Sequence, residues 1–186
     1  LSYTITWLGR FEEGIQWAEK SLAFCQEDGY RAAEGFAYLA VGYSLFLGGH
    51  YEQAQQRLTQ ALVSVREVNN YGTEATVHYA LGCLALVEMA YDKAQLTFEE
   101  SLRLYQAVQS DAYTALALCG LGFSTCCRGD LDQSRQYFIE LLTTALKRKD
   151  FLYLLVTLPG VALYLARRGE VEQAIAVWAQ VQCQPY

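Results

Sequence analysis

Charge is scarce in this chain, and positive charge scarcest. Of 186 residues 18% are charged, Lys and Arg number 14 against 20 Asp and Glu, and the formal net charge is -6. The longest basic run is Lys147, Arg148 and Lys149. Holding phosphates takes clustered Lys and Arg, so no direct contact with DNA or RNA is expected. Membrane-length apolar runs are missing too. The stretches 35–49, 112–127 and 151–166 contain no Asp, Glu, Lys or Arg. Each nevertheless falls short of the roughly 18 to 20 residues that span a bilayer, and Gly, Ser, Thr or Tyr interrupt it. No signal-peptide pattern opens the sequence, and a cytoplasmic location is expected.

Residues that carry chemistry are equally thin. Six cysteines, at 25, 83, 119, 126, 127 and 183, form no C-x-x-C pair. Cys119 and Cys126 share a helix face at i, i+7, but His50 and His78 fall far from them in register. No metal site is expected, and the thiols read as small, reduced core residues. The Gly-x-Gly at Gly120 and Gly122 lies inside a helical pattern with no strand before it, so no phosphate cradle and no cofactor are implied. No Ser-His-Asp grouping is supported by spacing, and the chain is not expected to be an enzyme.

What remains is apolar surface in a fixed rhythm, with 53% of residues hydrophobic and 14 tyrosines. From Tyr91 to Gly122, Ala94, Phe98, Ser101, Leu102 and Tyr105 line one stripe of a helix, opposite Asp92, Lys93, Glu99, Glu100 and Arg103. A polar turn at Gln109, Ser110 and Asp111 follows, and Ala115, Leu118, Leu121 and Gly122 resume the spacing. Two antiparallel helices are expected from so short a link. The unit recurs at a constant step, at Phe11, Tyr51, Tyr91, Leu131 and Val171 and again at Gly42, Gly82, Gly122 and Ala162. Stacked hairpins follow, because each alone leaves an apolar face that a neighbour must cover. The units run over about 1–28, 31–68, 72–108, 111–148 and 151–183 in a single solenoid domain. Helices are expected near 12–28, 32–48, 52–68, 73–89, 92–108, 112–128, 132–148, 152–168 and 171–183. Gly9, Gly49, Gly129 and Gly169 mark turns, with Met89 in the same place in the third unit. Pro159 predicts a bend near Leu155. Leu1 to Leu8 matches only the second half of a first helix, so the chain reads as part of a longer protein.

Within each unit the spacing resembles the tetratricopeptide repeat (TPR). The second unit reads Tyr38, Val41, Gly42, Leu45, Ala54, Leu58, and the fourth reads Leu118, Leu121, Gly122, Thr125, Ser134, Phe138. The 40-residue step exceeds the usual 34, and the family's proline at the end of the second helix is missing. This long form is similar to repeats in the sensor regions of bacterial STAND-type ATPases and related transcription regulators. The resemblance implies an all-α, right-handed solenoid of about 4.5 hairpins whose first helices line a concave groove.

Carried across by register, the groove positions are Tyr3, Trp7, Phe36, Leu39, Tyr43, Phe46, Tyr79, Cys83, Leu116, Cys119, Phe123 and Cys126. None is Lys, Arg or Asn, which the family uses to hold a peptide's terminal carboxylate. The expected partner is a protein or peptide, a small apolar ligand, or another segment of the parent protein. Packing between neighbouring repeats accounts equally well for any single one of these residues. A passive scaffold or self-association module is the alternative to a sensor.

Overall fold

The computed structural model describes residues 5, 6, 8–148 and 151–182. Among them lie nine helices and no strand, as apolar positions of helical spacing dictate. They are α1 Phe11–Glu27, α2 Arg31–Leu47, α3 Tyr51–Glu67, α4 Tyr71–Val87, α5 Tyr91–Ala107, α6 Asp111–Arg128, α7 Leu131–Arg148, α8 Phe151–Arg167 and α9 Val171–Gln182. Successive helices begin at a constant interval, half the step of the sequence repeat. The expected boundaries sit mostly one residue late.

The turns explain that regularity. Gly9, Gly29, Gly49, Asn69, Met89, Gln109, Gly129 and Gly169 all have positive φ, between 52° and 95°. The residue after each of these from Gly29 onward donates its backbone N–H to a carbonyl five residues back. Tyr30 bonds Cys25, His50 bonds Leu45, Asn70 bonds Val65, Ala90 bonds Ala85, Ser110 bonds Tyr105, Asp130 bonds Thr125 and Glu170 bonds Leu165, all at 2.9 Å. This is the Schellman closure, which satisfies an orphan carbonyl at the helix end. The same residue then offers its own carbonyl to start the following helix, as in Ala54 N–H to His50 O at 2.9 Å. Among the described residues, turns within hairpins and turns between them are therefore alike in backbone, although their side chains differ.

Neighbouring helices pack in pairs, and the even-numbered ones also touch each other: α2 with α4, α4 with α6, and α6 with α8. Among the described residues no two odd-numbered helices bring their backbones so close, and they meet only through long side chains, as where Arg57 of α3 reaches Glu19 of α1 at 4.0 Å. One set close together and the other splayed is the geometry of a curved stack with the even helices on its inner side. The structure is thus the expected TPR-like solenoid of helical hairpins.

At the crossings of α3, α5 and α7 a large residue of the odd helix lies between small residues of two even helices. A methyl group added at Gly82 or Gly120 would come within 2.6 or 2.5 Å of the Phe98 ring. Phe138 is held in the same way by Gly122, at 2.6 Å, and by Gly160. Leu58, a smaller residue in this place, meets Gly42 on one side and packs in one cluster with Ala80 on the other. Burying such a ring contributes about 1.5 to 3 kcal/mol. Gly160 therefore has a packing reason to be where it is. Its neighbour Pro159 does not interrupt α8, which runs unbroken from Phe151 to Arg167.

Candidate binding surface

The inner wall is built by the uncharged stretches of the even helices. Phe36, Leu39, Tyr43 and Phe46 follow one another at helical spacing along α2; Tyr79 and Cys83 do so on α4, and Leu116, Cys119, Phe123 and Cys126 on α6. Phe36 is 52% exposed. Tyr43, Phe46, Tyr79, Cys83, Leu116 and Phe123 are partly buried. Leu39, Cys119 and Cys126 are buried at 1%, 5% and 0%, and they belong to the core rather than to a ligand-facing surface. Leu39 packs with Leu58, Ala61, Val77 and Ala80, and the two cysteines pack in the cluster around Phe138 and Leu141. Tyr3 and Trp7 lie outside the described residues.

Rings link this wall to the core beneath it. Tyr43 and Phe46 have centroids 6.2 Å apart, Tyr79 and Phe98 5.7 Å, and Phe123 meets Phe138 edge-on at 6.0 Å. Burial, with the neighbouring Cys83 adding to it, pushes the Tyr43 hydroxyl up to about 12. Burial raises Tyr79 further, again with help from Cys83. Desolvation also pushes the Cys83 and Cys119 thiols up to about 12. Desolvation disfavours every anionic form here, so the wall is neutral at physiological pH and its thiols are poor nucleophiles and poor metal ligands. Among the described residues no group of His, Cys, Asp and Glu is placed to hold a metal ion. No helix there is long and apolar enough to cross a membrane.

Glu74 departs from the solvent-facing acids of α5 named above. It sits in the first turn of α4 with a side chain only 8% exposed, and Arg66 Nε donates to its Oε1 at 2.7 Å. The signal was available in the sequence, since Glu34 and Glu74 occupy the same position in successive units.

No protein-family model and no curated protein matches the sequence. Solved structures do match. One is the kinesin light chain protein of Podosopora anserina with nearly identical TPR-like repeats, at TM-score 0.71 and 12% identity, covering 98% of this chain and 90% of that one. A single-substitution form of it matches at TM-score 0.73, with the same identity and coverage. The apo form of RapI matches at TM-score 0.70 and 15% identity, over 97% of this chain and 79% of its own. At such identities the likeness is one of fold: a TPR-like stack of helical hairpins.

Proposed function

We propose that the chain is a recognition module that binds an apolar peptide, an amphipathic helix or a small apolar ligand along its inner wall. The observation that carries this reading is the uncharged aromatic stripe over α2, α4 and α6, with Phe36, Tyr43, Phe46, Tyr79, Leu116 and Phe123 at least partly open to solvent. A wall without Lys or Arg at these positions suits apolar partners better than a terminal carboxylate. Its role is binding, not catalysis, and it needs no cofactor. In a larger protein such a wall would serve as the sensor region of a STAND-type ATPase or transcription regulator, where occupancy of the groove shifts the parent between resting and active forms. Titration with an anilinonaphthalene dye, which brightens on apolar surfaces, tests the site. Tyr43→Asp and Phe123→Asp should abolish the enhancement while the helical circular-dichroism signal stays intact. Undiminished brightening in both variants would move the site to the outer side.

A second reading, self-association, is favoured by a different face. Pro159, Leu163, Val171, Ile175 and Trp178 line an almost wholly apolar cavity of about 370 Å3 on α8 and α9. Trp178 is 49% exposed there, although Phe98 and Phe138 at the corresponding positions are 0% and 3% exposed. Light scattering that shows mass rising with concentration, reversed by Trp178→Glu, would establish it.

A further inference from the structure

Two successive modules build the same place from different side chains. Where α3, α4 and α5 meet, Arg66 Nε donates to Glu74 at 2.7 Å and Arg66 Nη2 lies 3.5 Å from His78 Nε2. On the α5 side of the junction, within that one helix, Arg103 donates to Glu100 through Nε and Nη2 at 2.8 and 2.6 Å. One unit earlier lies the junction of α1, α2 and α3. There Glu34 stands for Glu74, but Gln26 replaces Arg66, Val63 replaces Arg103, Gln60 replaces Glu100 and Tyr38 replaces His78. Both of these guanidinium groups are gone and the Glu34 carboxylate is kept, while an arginine, Arg31, stands at the rim where the later unit has Tyr71.

A cavity of about 530 Å3 opens at this first junction, walled by Gln26, Arg31, Glu34, Tyr38, Ser64 and Glu67 among others. The Gln26 amide donates to Tyr38 Oη at 2.9 Å and reaches Glu34 only at 3.4 Å. Glu34 thus has a neutral, distant donor where Glu74 has a guanidinium at 2.7 Å. Glu67 adds a second carboxylate on the opposite wall, 3.9 Å from an exposed Arg31.

We propose that this cavity takes an arginine side chain from a protein partner, with Glu34 and Tyr38 accepting from one edge of the guanidinium and Glu67 from the other. The module beside it shows the chemistry, because there one planar fork reaches a carboxylate and a ring atom of two different residues. A lysine ammonium, a compact point charge, does not reproduce that reach. The cavity opens between the splayed odd helices α1 and α3, so it is independent of the apolar inner wall.

The test uses an acetylated, amidated pentapeptide, Gly-Ser-Arg-Ser-Gly, titrated into the isotope-labelled chain and followed by backbone amide shifts at Gly29, Glu34 and Ser64. Saturable shifts are expected, with the citrulline peptide about tenfold weaker or worse because it lacks the charge. Glu34→Gln should cost about tenfold as well, by the same loss of charge assistance. Gln26→Arg, which installs the guanidinium of the neighbouring module, should remove binding without lowering the melting temperature. Tyr43→Asp should leave binding unchanged, which separates this site from the inner wall. Absence of saturable shifts, equal binding of the citrulline peptide, or undiminished binding by Gln26→Arg would overturn the proposal. Should Glu34→Gln misfold, Gln26→Arg decides alone.

Discussion

Leu58 and Phe98 occupy the same place in successive hairpins, and the residues around them differ in compensation. Leu58 has Gly42 and Ala80 beside it; Phe98 has Gly82 and Gly120. What the fold holds constant at this crossing is the summed volume, not any one side chain, as close-packed interiors require. The same pair of modules differs in charge by a similar exchange, with Arg66 and Arg103 at one junction and Gln26 and Val63 in their places at the other. A repeat protein can thus keep its backbone step while each unit redistributes bulk and charge.

The most severe way to break this balance is Gly122→Leu, which drives a branched side chain into the Phe138 ring. A loss of about 3 kcal/mol in chemical denaturation is expected, and an unchanged midpoint would refute the assigned register. Gly120→Ala sharpens the point at lower cost, about 1 to 2 kcal/mol. Combined with Phe98→Leu, which recreates the pairing of Leu58 with Ala80, the loss should fall below the sum of the two single changes.

Smaller effects come from the turns. Gly49 has φ of 82° and Met89 has 59°, so the two hold one conformation with unequal ease. Gly49→Ala should lower stability by about 1 kcal/mol, and Met89→Gly should raise it by about 0.5 kcal/mol. Equal and opposite melting shifts are not required, but opposite signs are.

The smallest effect concerns acid. Burial, the largest influence, lowers His78 from its ordinary 6.5, with Arg66 and Arg103 acting in the same direction and Glu100 and Glu74 opposing them. A folded-state pKa below the unfolded value means that the associated stability is complete above about pH 6.5 and is lost as pH falls through the folded value. His78→Tyr, which copies Tyr38 of the preceding module, should flatten the fall of melting temperature below that pH. An unchanged slope would assign the acid sensitivity to other groups.

Much of this architecture was legible in the chain before any coordinates. The step between units, the hairpins and most helix ends could be read to within a residue or so, because a stripe of small and apolar residues must face a neighbour. The uniform shape of the turns was not legible. It lives in backbone torsions, and Asn69, Met89 and Gln109 hold positive φ without announcing it as glycine does. Gly120 suggested only a rejected phosphate motif, and Gly160 falls outside the Gly42, Gly82, Gly122 register. Their partner is a ring on the preceding helix, Phe98 for one and Phe138 for the other. Register also could not separate Phe36, open to solvent, from Leu39, which is covered by Leu58 and Val77. Both positions are apolar, and only packing against the adjacent hairpin distinguishes them.

The odd helices, whose backbones stay apart, give the molecule unequal mechanics on its two sides. Its spine, where even helices interlock, resists stretching, whereas its rim is pleated and held by little more than long side chains such as Arg57 and Glu19. Whatever wedges itself into one pleat therefore changes the curvature of the opposite surface, so that a guest on the outside would be felt as a change of shape on the inside.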